Sequence, residues 1–326
     1  MCGKETFLHD MELPNMLHAR MVRSEIDSAN LISTQPEAID HINGIVSVVQ
    51  DGSFLAVVAE REEQAISGAE TLKNVTVWEQ FKELPNQDKF PDILRELEAL
   101  DPEVIFDQQS PSTNIKSSNM REFTANYSRP YIAHAALSPS AAVALWDGNR
   151  LTVWSHTQGV FELKGTLSTA LSIEESKVRC IHVEGAGCYG HNGADDAAYD
   201  AALVALANPG KPILLKWTRD DEHAWEPYGS AMVSELRASL NEEGKVVDWS
   251  HESYGDTHMG RPAPGRSGSP AEKLLATHFQ EDALAWPIMP PTMGAHVGVH
   301  RNLEPLYKFP NPRLVNNLVR DLPLRV

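Results

Sequence analysis

The passage from Val178 to Leu206 constrains this chain more than any other. Val178 to Val183 reads as a strand, and Asp195 to Leu206 reads as a helix. Between them runs Glu184-Gly185-Ala186-Gly187-Cys188-Tyr189-Gly190-His191-Asn192-Gly193-Ala194. Glycines at such a junction let the backbone approach a ligand and aim its N–H groups, and a helix start favours an anion. The passage is not a P-loop, because no Gly-Lys-Ser/Thr follows at the required spacing. Gly185-x-Gly187-x-x-Gly190 satisfies the dinucleotide pattern, yet it lies mid-chain behind other strands rather than in a first βαβ unit. A plain tight turn stays open as the alternative.

The rest of the chain reads as a mixed α/β protein in two parts. In residues 1–83, strands are expected at Met16 to Val22, Ile45 to Val49, Phe54 to Ala59 and Val75 to Trp78. A short helix opens at Pro36 and ends near Gly44, and Glu60 to Leu72 forms a helix with Ala65, Ile66, Ala69 and Leu72 on one face. Residues 84–122, with Pro85, Pro91, Pro102 and Pro111, read as a connecting segment. Residues 123–326 begin with a hairpin, Ala141 to Leu145 and Leu151 to Trp154 around Asp147-Gly148, followed by a helix from Phe161 to Ala170. Pro212 to Trp217 is a strand, and Met232 to Leu240 pairs with Lys245 to Tyr254. Gly255 to Pro312 is expected to be long loops and short turns.

Charge and cysteine usage exclude several function classes. With 28 basic and 45 acidic residues the formal charge is −17, which argues against nucleic acid and against anionic membrane surfaces as partners. No apolar run approaches the length of a membrane span, and the first residues lack a signal-peptide pattern, so the expected location is cytoplasmic. Cys2, Cys180 and Cys188 form no CxxC pair, so neither a zinc ribbon nor an iron–sulfur cluster can be built from them. His182, His191, His251, His258, His278, His296 and His300 match no HxxxH or HExxH spacing, and no protein-ligated metal is expected.

Several passages together carry a resemblance. Ser155-His156-Thr157-Gln158-Gly159 stands at a strand end, and Trp217-Thr218-Arg219-Asp220-Asp221-Glu222 lies downstream of the glycine-rich loop. Farther on come Arg301-Asn302, Pro310-Asn311 and Asp321-Leu322-Pro323-Leu324-Arg325. The loop suits a phosphate or a pterin–dithiolene cofactor. The set resembles the first molybdenum-binding domain of the xanthine dehydrogenase family. Gly3-Lys4, Leu13 to His18 and the chain up to Trp78 resemble that family's small α/β hammerhead domain. The form Gly-Cys-Tyr-Gly-His-Asn-Gly-Ala-Asp-Asp is nearest the branch of nicotinate dehydrogenase and isoquinoline 1-oxidoreductase large subunits.

The resemblance implies a molybdopterin cofactor, with the cytosine dinucleotide as a candidate form. It implies that Gln158 donates its amide to an oxo ligand of molybdenum. Gly185, Gly187, Cys188, Tyr189 and Gly190 would lie against the cofactor. Cys188 and Tyr189 depart from the Gly-Phe-Gly of xanthine dehydrogenases. Asn192 stands on the substrate side, where purine-oxidising members carry Glu, so xanthine is not the expected substrate. The implied reaction is hydroxylation of an N-heteroaromatic or an aldehyde with water as oxygen source.

The family's second molybdenum domain, with a Gly-x-Gly-Glu loop bearing the general base, has no counterpart in these residues. The expectation is therefore an incomplete subunit, inactive alone. A split gene, a remnant or an excerpt spanning two domains would each explain it. The implied partners are a second molybdenum-domain polypeptide if the subunit is split, an iron–sulfur subunit, and a flavin or cytochrome subunit. A non-catalytic scaffold or remnant is the competing reading.

Plainer roles are expected elsewhere. Asp195 and Asp196 read as caps of the following helix, and Asp220-Asp221-Glu222 as a solvated turn opening a helix. Trp217 and Trp225 read as packing residues and Cys188 as a small buried one. A Cys188–His191 nucleophile pair is disfavoured, since no carboxylate is evident to orient His191.

Overall fold

Leu17, Ala19 and Met21 turn inward and His18 and Arg20 outward, which makes β1 (Leu17–Met21) a strand with one buried face. The computed structural model describes residues 7–25, 29–97, 103–107, 120–256, 261–265, 268–287, 302–319 and 323–326. Cys2, Gly3-Lys4, His258, His296, His300, Arg301 and Asp321-Leu322 lie outside the described residues. The chain groups into two units, Met1–Glu83 with Ala133–Pro227 and Arg261–Ile288, and Leu84–Ile132 with Tyr228–Gly260 and Met289–Val326.

The first unit adds β2 (Ala29–Ser33), β3 (Ile45–Asp51), β4 (Phe54–Ala59), α1 (Glu62–Val75) and β5 (Val77–Gln80). Every residue of β4 is buried, so it is covered on both faces. Leu55 and Val57 pack with Ile39 and Leu72, the latter on α1, while Phe54, Ala56 and Val58 join the larger core on the opposite face. Val75 closes α1 instead of opening a strand, and β5 pairs with β2 in a separate two-stranded sheet.

In the second unit, α2 (Phe90–Glu96) and β6 (Glu103–Asp107) occupy the stretch expected to be a connecting segment, and β7 (Arg121–Arg129) straddles its end at residue 122. Local proline spacing concealed them: Pro91 sits in the first turn of α2, where its missing N–H costs nothing.

The chain then re-enters the first unit, where the hairpin of β8 (Ala141–Trp146) and β9 (Leu151–Ser155) turns at Gly148 with φ +94°. Then follow α3 (Val160–Ala170), β10 (Val178–His182), α4 (Ala194–Ala207), β11 (Ile213–Lys216) and α5 (Arg219–Trp225). The sheet runs β10-β9-β8-β11-β1-β4-β3, with β10 parallel to β9 and β11 parallel to β1. Ala197, Ala198, Ala201, Ala202 and Ala205 are fully buried, and these small side chains let α4 lie close on β8 and β11. Each fully buried Leu or Val of this core contributes roughly 1.5–3 kcal/mol.

The second unit continues with β12 (Met232–Leu240), β13 (Val246–Asp256) and β14 (Pro312–Val319). Its sheet runs β6-β14-β13-β12-β7, all neighbours antiparallel except β13 and β14. Phe90 and Leu94 of α2 pack against Ala231, Val233 and Val319. The strand β14 fell within a region read as irregular or unassigned; its proline stands at the first position, where no ladder hydrogen bond is required. The α/β class of mixed type is what the structure shows. Among the described residues, no helix is long and apolar enough to cross a membrane.

Candidate functional site

Parallel pairing brings the two informative passages together. Because β9 and β10 run the same way, with Ser155 opposite His182, the segments leaving both strands emerge at the same end of the sheet. That carboxyl end of an α/β sheet is where ligands tend to bind. Gln158 follows β9 and is exposed, while His156 and Thr157 before it are buried. The glycine-rich loop follows β10 and leads to α4. Gln158 Nε2 donates to Cys188 Sγ at 2.7 Å, and that thiol donates to the Gly190 carbonyl at 3.2 Å. The side chain of Gln158 thus bridges the two segments.

Beneath this bridge lies a charged layer. Thr157 Oγ1 donates to Asp195 Oδ1, and accepts from Gly159 N–H at 3.1 Å. Arg261 Nε donates to Gln158 Oε1 at 3.1 Å, and its Nη1 donates to Asp195 Oδ2 at 3.0 Å and to Thr157 Oγ1 at 3.2 Å. His191 Nε2 lies 3.7 Å from Asp195 Oδ2. Burial works to raise the Asp195 carboxyl, but the His191 ring, Arg261 and Thr157 hold it below the usual carboxylate range. Burial also lowers the pKa of His156, to about 4, so its ring is neutral and its Nε2 accepts from Ala141 N–H.

Packing explains the loop's glycines as well as any ligand does. A Cβ on Gly185 would lie 2.7 Å from the His156 ring, and one on Gly193 would lie 2.5 Å from the Trp217 ring. Gly187 takes φ +104°, which excludes most other residues. Tyr189 is 64% exposed, so its ring is available to a ligand or partner. Asn192 is buried, with Oδ1 accepting from Ala194 N–H at 3.3 Å.

Several local expectations change. Gly193 is the N-cap of α4, and Asp195 and Asp196 sit in its first turn, where Asp196 accepts from Leu275 N–H at 2.8 Å. Glu222 is fully buried rather than solvated. His191 does have a carboxylate beside it, Asp195, one helical turn on. Cys188 is only half-buried, and Gln158 occupies its sulfur. Trp217 and Trp225 are packing residues, flanking the Arg23 guanidinium at 4.6 and 5.1 Å.

Sequence reasoning missed the supports of the loop. The Thr218–Asp221 capping box starts α5, and Arg219, Glu222 and Glu226 then share one face. Arg219 donates to the carbonyls of Ala136 and Leu137 at 2.8 and 2.9 Å. Glu222 takes Ser140 N–H and hydroxyl, and Glu226 takes His134 N–H at 2.7 Å. The segment so held supports the loop through Ser138 N–H to the Ala186 carbonyl at 3.1 Å. The Thr-x-x-Asp box was the readable signal; Arg261 left none.

A model of the molybdopterin cofactor-binding domain matches residues 100–264. This chain belongs to that family, among the molybdenum-binding subunits of the xanthine dehydrogenase group. It is 36% identical over 288 residues to a nicotinate dehydrogenase subunit of Pseudomonas putida, covering 84% of this chain and 23% of that relative. It is 31% identical over 140 residues to the aldehyde oxidoreductase molybdenum-binding subunit PaoC of Escherichia coli O157:H7, covering 42% of this chain and 19% of that one. The fold is similar to aldehyde oxidoreductase from Desulfovibrio gigas, with TM-score 0.65 and 16% identity over 96% of this chain and 36% of that one. The chain thus spans about a quarter of the first relative's length and about a third of that structure's.

The residues present fit a molybdenum cofactor. Gln158 offers an exposed amide donor, and Arg261 Nη2 and Asn192 Nδ2 are buried without a partner among the described residues. Such N–H groups suit the oxygen-rich, anionic surroundings of the metal.

Proposed function

We propose that this chain is part of the molybdenum-binding subunit of a hydroxylase acting on an N-heteroaromatic or an aldehyde, with water as oxygen source. The observation that carries this reading is the Gln158 amide set against the glycine-rich loop at Cys188. In this reading the amide of Gln158 and the backbone of Gly185, Gly187, Cys188, Tyr189 and Gly190 hold the cofactor. When bound, the cofactor supplies the two-electron oxidation. The protein's part is to fix N–H donors where negative charge gathers, at no reorganisation cost during reaction. Asn192 stands near the substrate side at the end of the loop, buried, its Oδ1 accepting from Ala194 N–H at 3.3 Å.

No Gly-x-Gly-Glu occurs in the 326 residues, so in this reading the general base comes from elsewhere and the chain alone does not turn over. Further residues of the same subunit, or a second molybdenum-domain polypeptide if the subunit is split, would supply it, with an iron–sulfur subunit and a flavin or cytochrome subunit taking the electrons. The names of the relatives support this substrate range. The cytosine dinucleotide form, a cytoplasmic location, and the division at residues 83 and 122 into hammerhead-like, connecting and molybdenum-binding parts belong to the same proposal.

The test is metal and pterin analysis of the chain, alone and co-expressed with the polypeptide encoded downstream. Near one molybdenum per chain on co-expression, lowered by Gln158→Leu, is the expected result. A chain free of metal under both conditions would leave the scaffold or remnant reading in its place.

A further inference from the structure

A glutamine amide carries its donor and acceptor on nearly identical arms, so either can face a ligand unless something fixes the plane. Here one side of Gln158 meets a guanidinium, which only donates. Arg261 Nε reaches Gln158 Oε1 at 3.1 Å, and the Nε2 arm is thereby turned to the glycine-rich loop, where it meets Cys188 Sγ at 2.7 Å. The guanidinium is itself anchored: its Nη1 is held by Asp195 Oδ2 at 3.0 Å and Thr157 Oγ1 at 3.2 Å. Asp195 belongs to the buried first turn of α4, its side chain 4% exposed, and that of Arg261 is 16% exposed. The Thr157 hydroxyl spends its proton on Asp195 and so accepts from Arg261.

We propose that Arg261 is a positioning residue, tethered by Asp195, that sets the orientation of the Gln158 amide so that its N–H arm faces the cofactor loop. This rests on the reading of Gln158 as a cofactor donor, but its geometry stands in the chain without cofactor. In the absence of Arg261 the amide can turn over and present a carbonyl, which repels an anionic ligand.

The experiment is side-chain amide NMR on the full chain labelled with 15N-glutamine, the Gln158 pair being assigned by its loss in Gln158→Leu. In the wild type those protons should exchange with solvent about fivefold more slowly than those of free glutamine, the factor expected of a neutral N–H bond of about 1 kcal/mol net, here the one to Cys188 Sγ that the Arg261 contact to Oε1 keeps in place. Arg261→Ala should bring exchange to the free rate, with millimolar guanidinium restoring the slow rate; Arg261→Lys should fall between. Should Arg261→Ala not fold, Arg261→Lys carries the test. Exchange unchanged in the folded variant would overturn the inference. Molybdenum content of the wild type is measured separately: its absence counts against the cofactor reading, and only the amide signal bears on Arg261.

Discussion

Glu222 Oε2 accepts the Ser140 backbone N–H at 2.6 Å, and Oε1 accepts the Ser140 hydroxyl at 3.0 Å, with both residues fully buried. One carboxyl on α5 therefore satisfies both hydrogen-bond donors of the residue that precedes β8. Truncation should cost more than the bonds contribute net, because two buried donors are left unpaired. Glu222→Ala is expected to lose about 2–4 kcal/mol in urea unfolding.

The same group has a pH signature. Burial pushes the Glu222 carboxyl from 4.5 up to about 8, outweighing the Ser140 N–H. The folded state then holds a proton that the unfolded state has released. This contribution to stability is full below pH 4.5 and is lost as pH rises through 8. Glu222→Gln should flatten the decline in urea midpoint between those values; a decline equal to that of the wild type would refute the assignment.

His156 acts in the opposite sense. Burial lowers its pKa from 6.5 to about 4, so its contribution is present above pH 6.5 and is lost as pH falls through 4. Replacing it by Gln, whose carbonyl can still accept the Ala141 N–H, should weaken the acid-side loss. The measurement is unfolding free energy at intervals across that window.

Gly193→Ala should destabilise the first unit by about 1–3 kcal/mol, since the new methyl would lie 2.5 Å from the Trp217 ring. Trp217 is fully buried with its indole N–H on Asp200, so its displacement should show as a red-shifted tryptophan emission. An unshifted spectrum with wild-type stability would mean that the ring moves freely.

Asp200→Ala tests the buried pair behind that ring. Arg23 Nη2 and Trp217 Nε1 both donate to Asp200 Oδ2, at 2.6 and 2.8 Å. Leaving Arg23 charged, buried and unpaired should cost about 3–5 kcal/mol, read as a fall in melting temperature.

Elements with a local signature were legible in the sequence. Period-two burial in β1, the Asp147-Gly148 turn and the strand–loop–helix of β10 and α4 needed no distant partner to be recognised. The loop was singled out from its own glycine pattern and Gln158 through the family resemblance, and the parallel pairing of β9 with β10 then brings them together. The short helix and strands of residues 84–129 were hidden, because prolines there read as breaks although Pro91 occupies a tolerated helix position.

By itself, then, the sequence determined the mixed α/β class and singled out the glycine-rich loop, since these follow from periodicity and motif within a few residues, while passages scattered along the chain carried the family resemblance. The tertiary structure alone decided that Arg261 meets Gln158 across 103 residues, that Glu222 meets Ser140 across 82, and that β1 lies between β11 and β4. Pairing between distant charges leaves no local pattern. Whether a carboxylate is solvated or buried depends on what the rest of the chain lays over it.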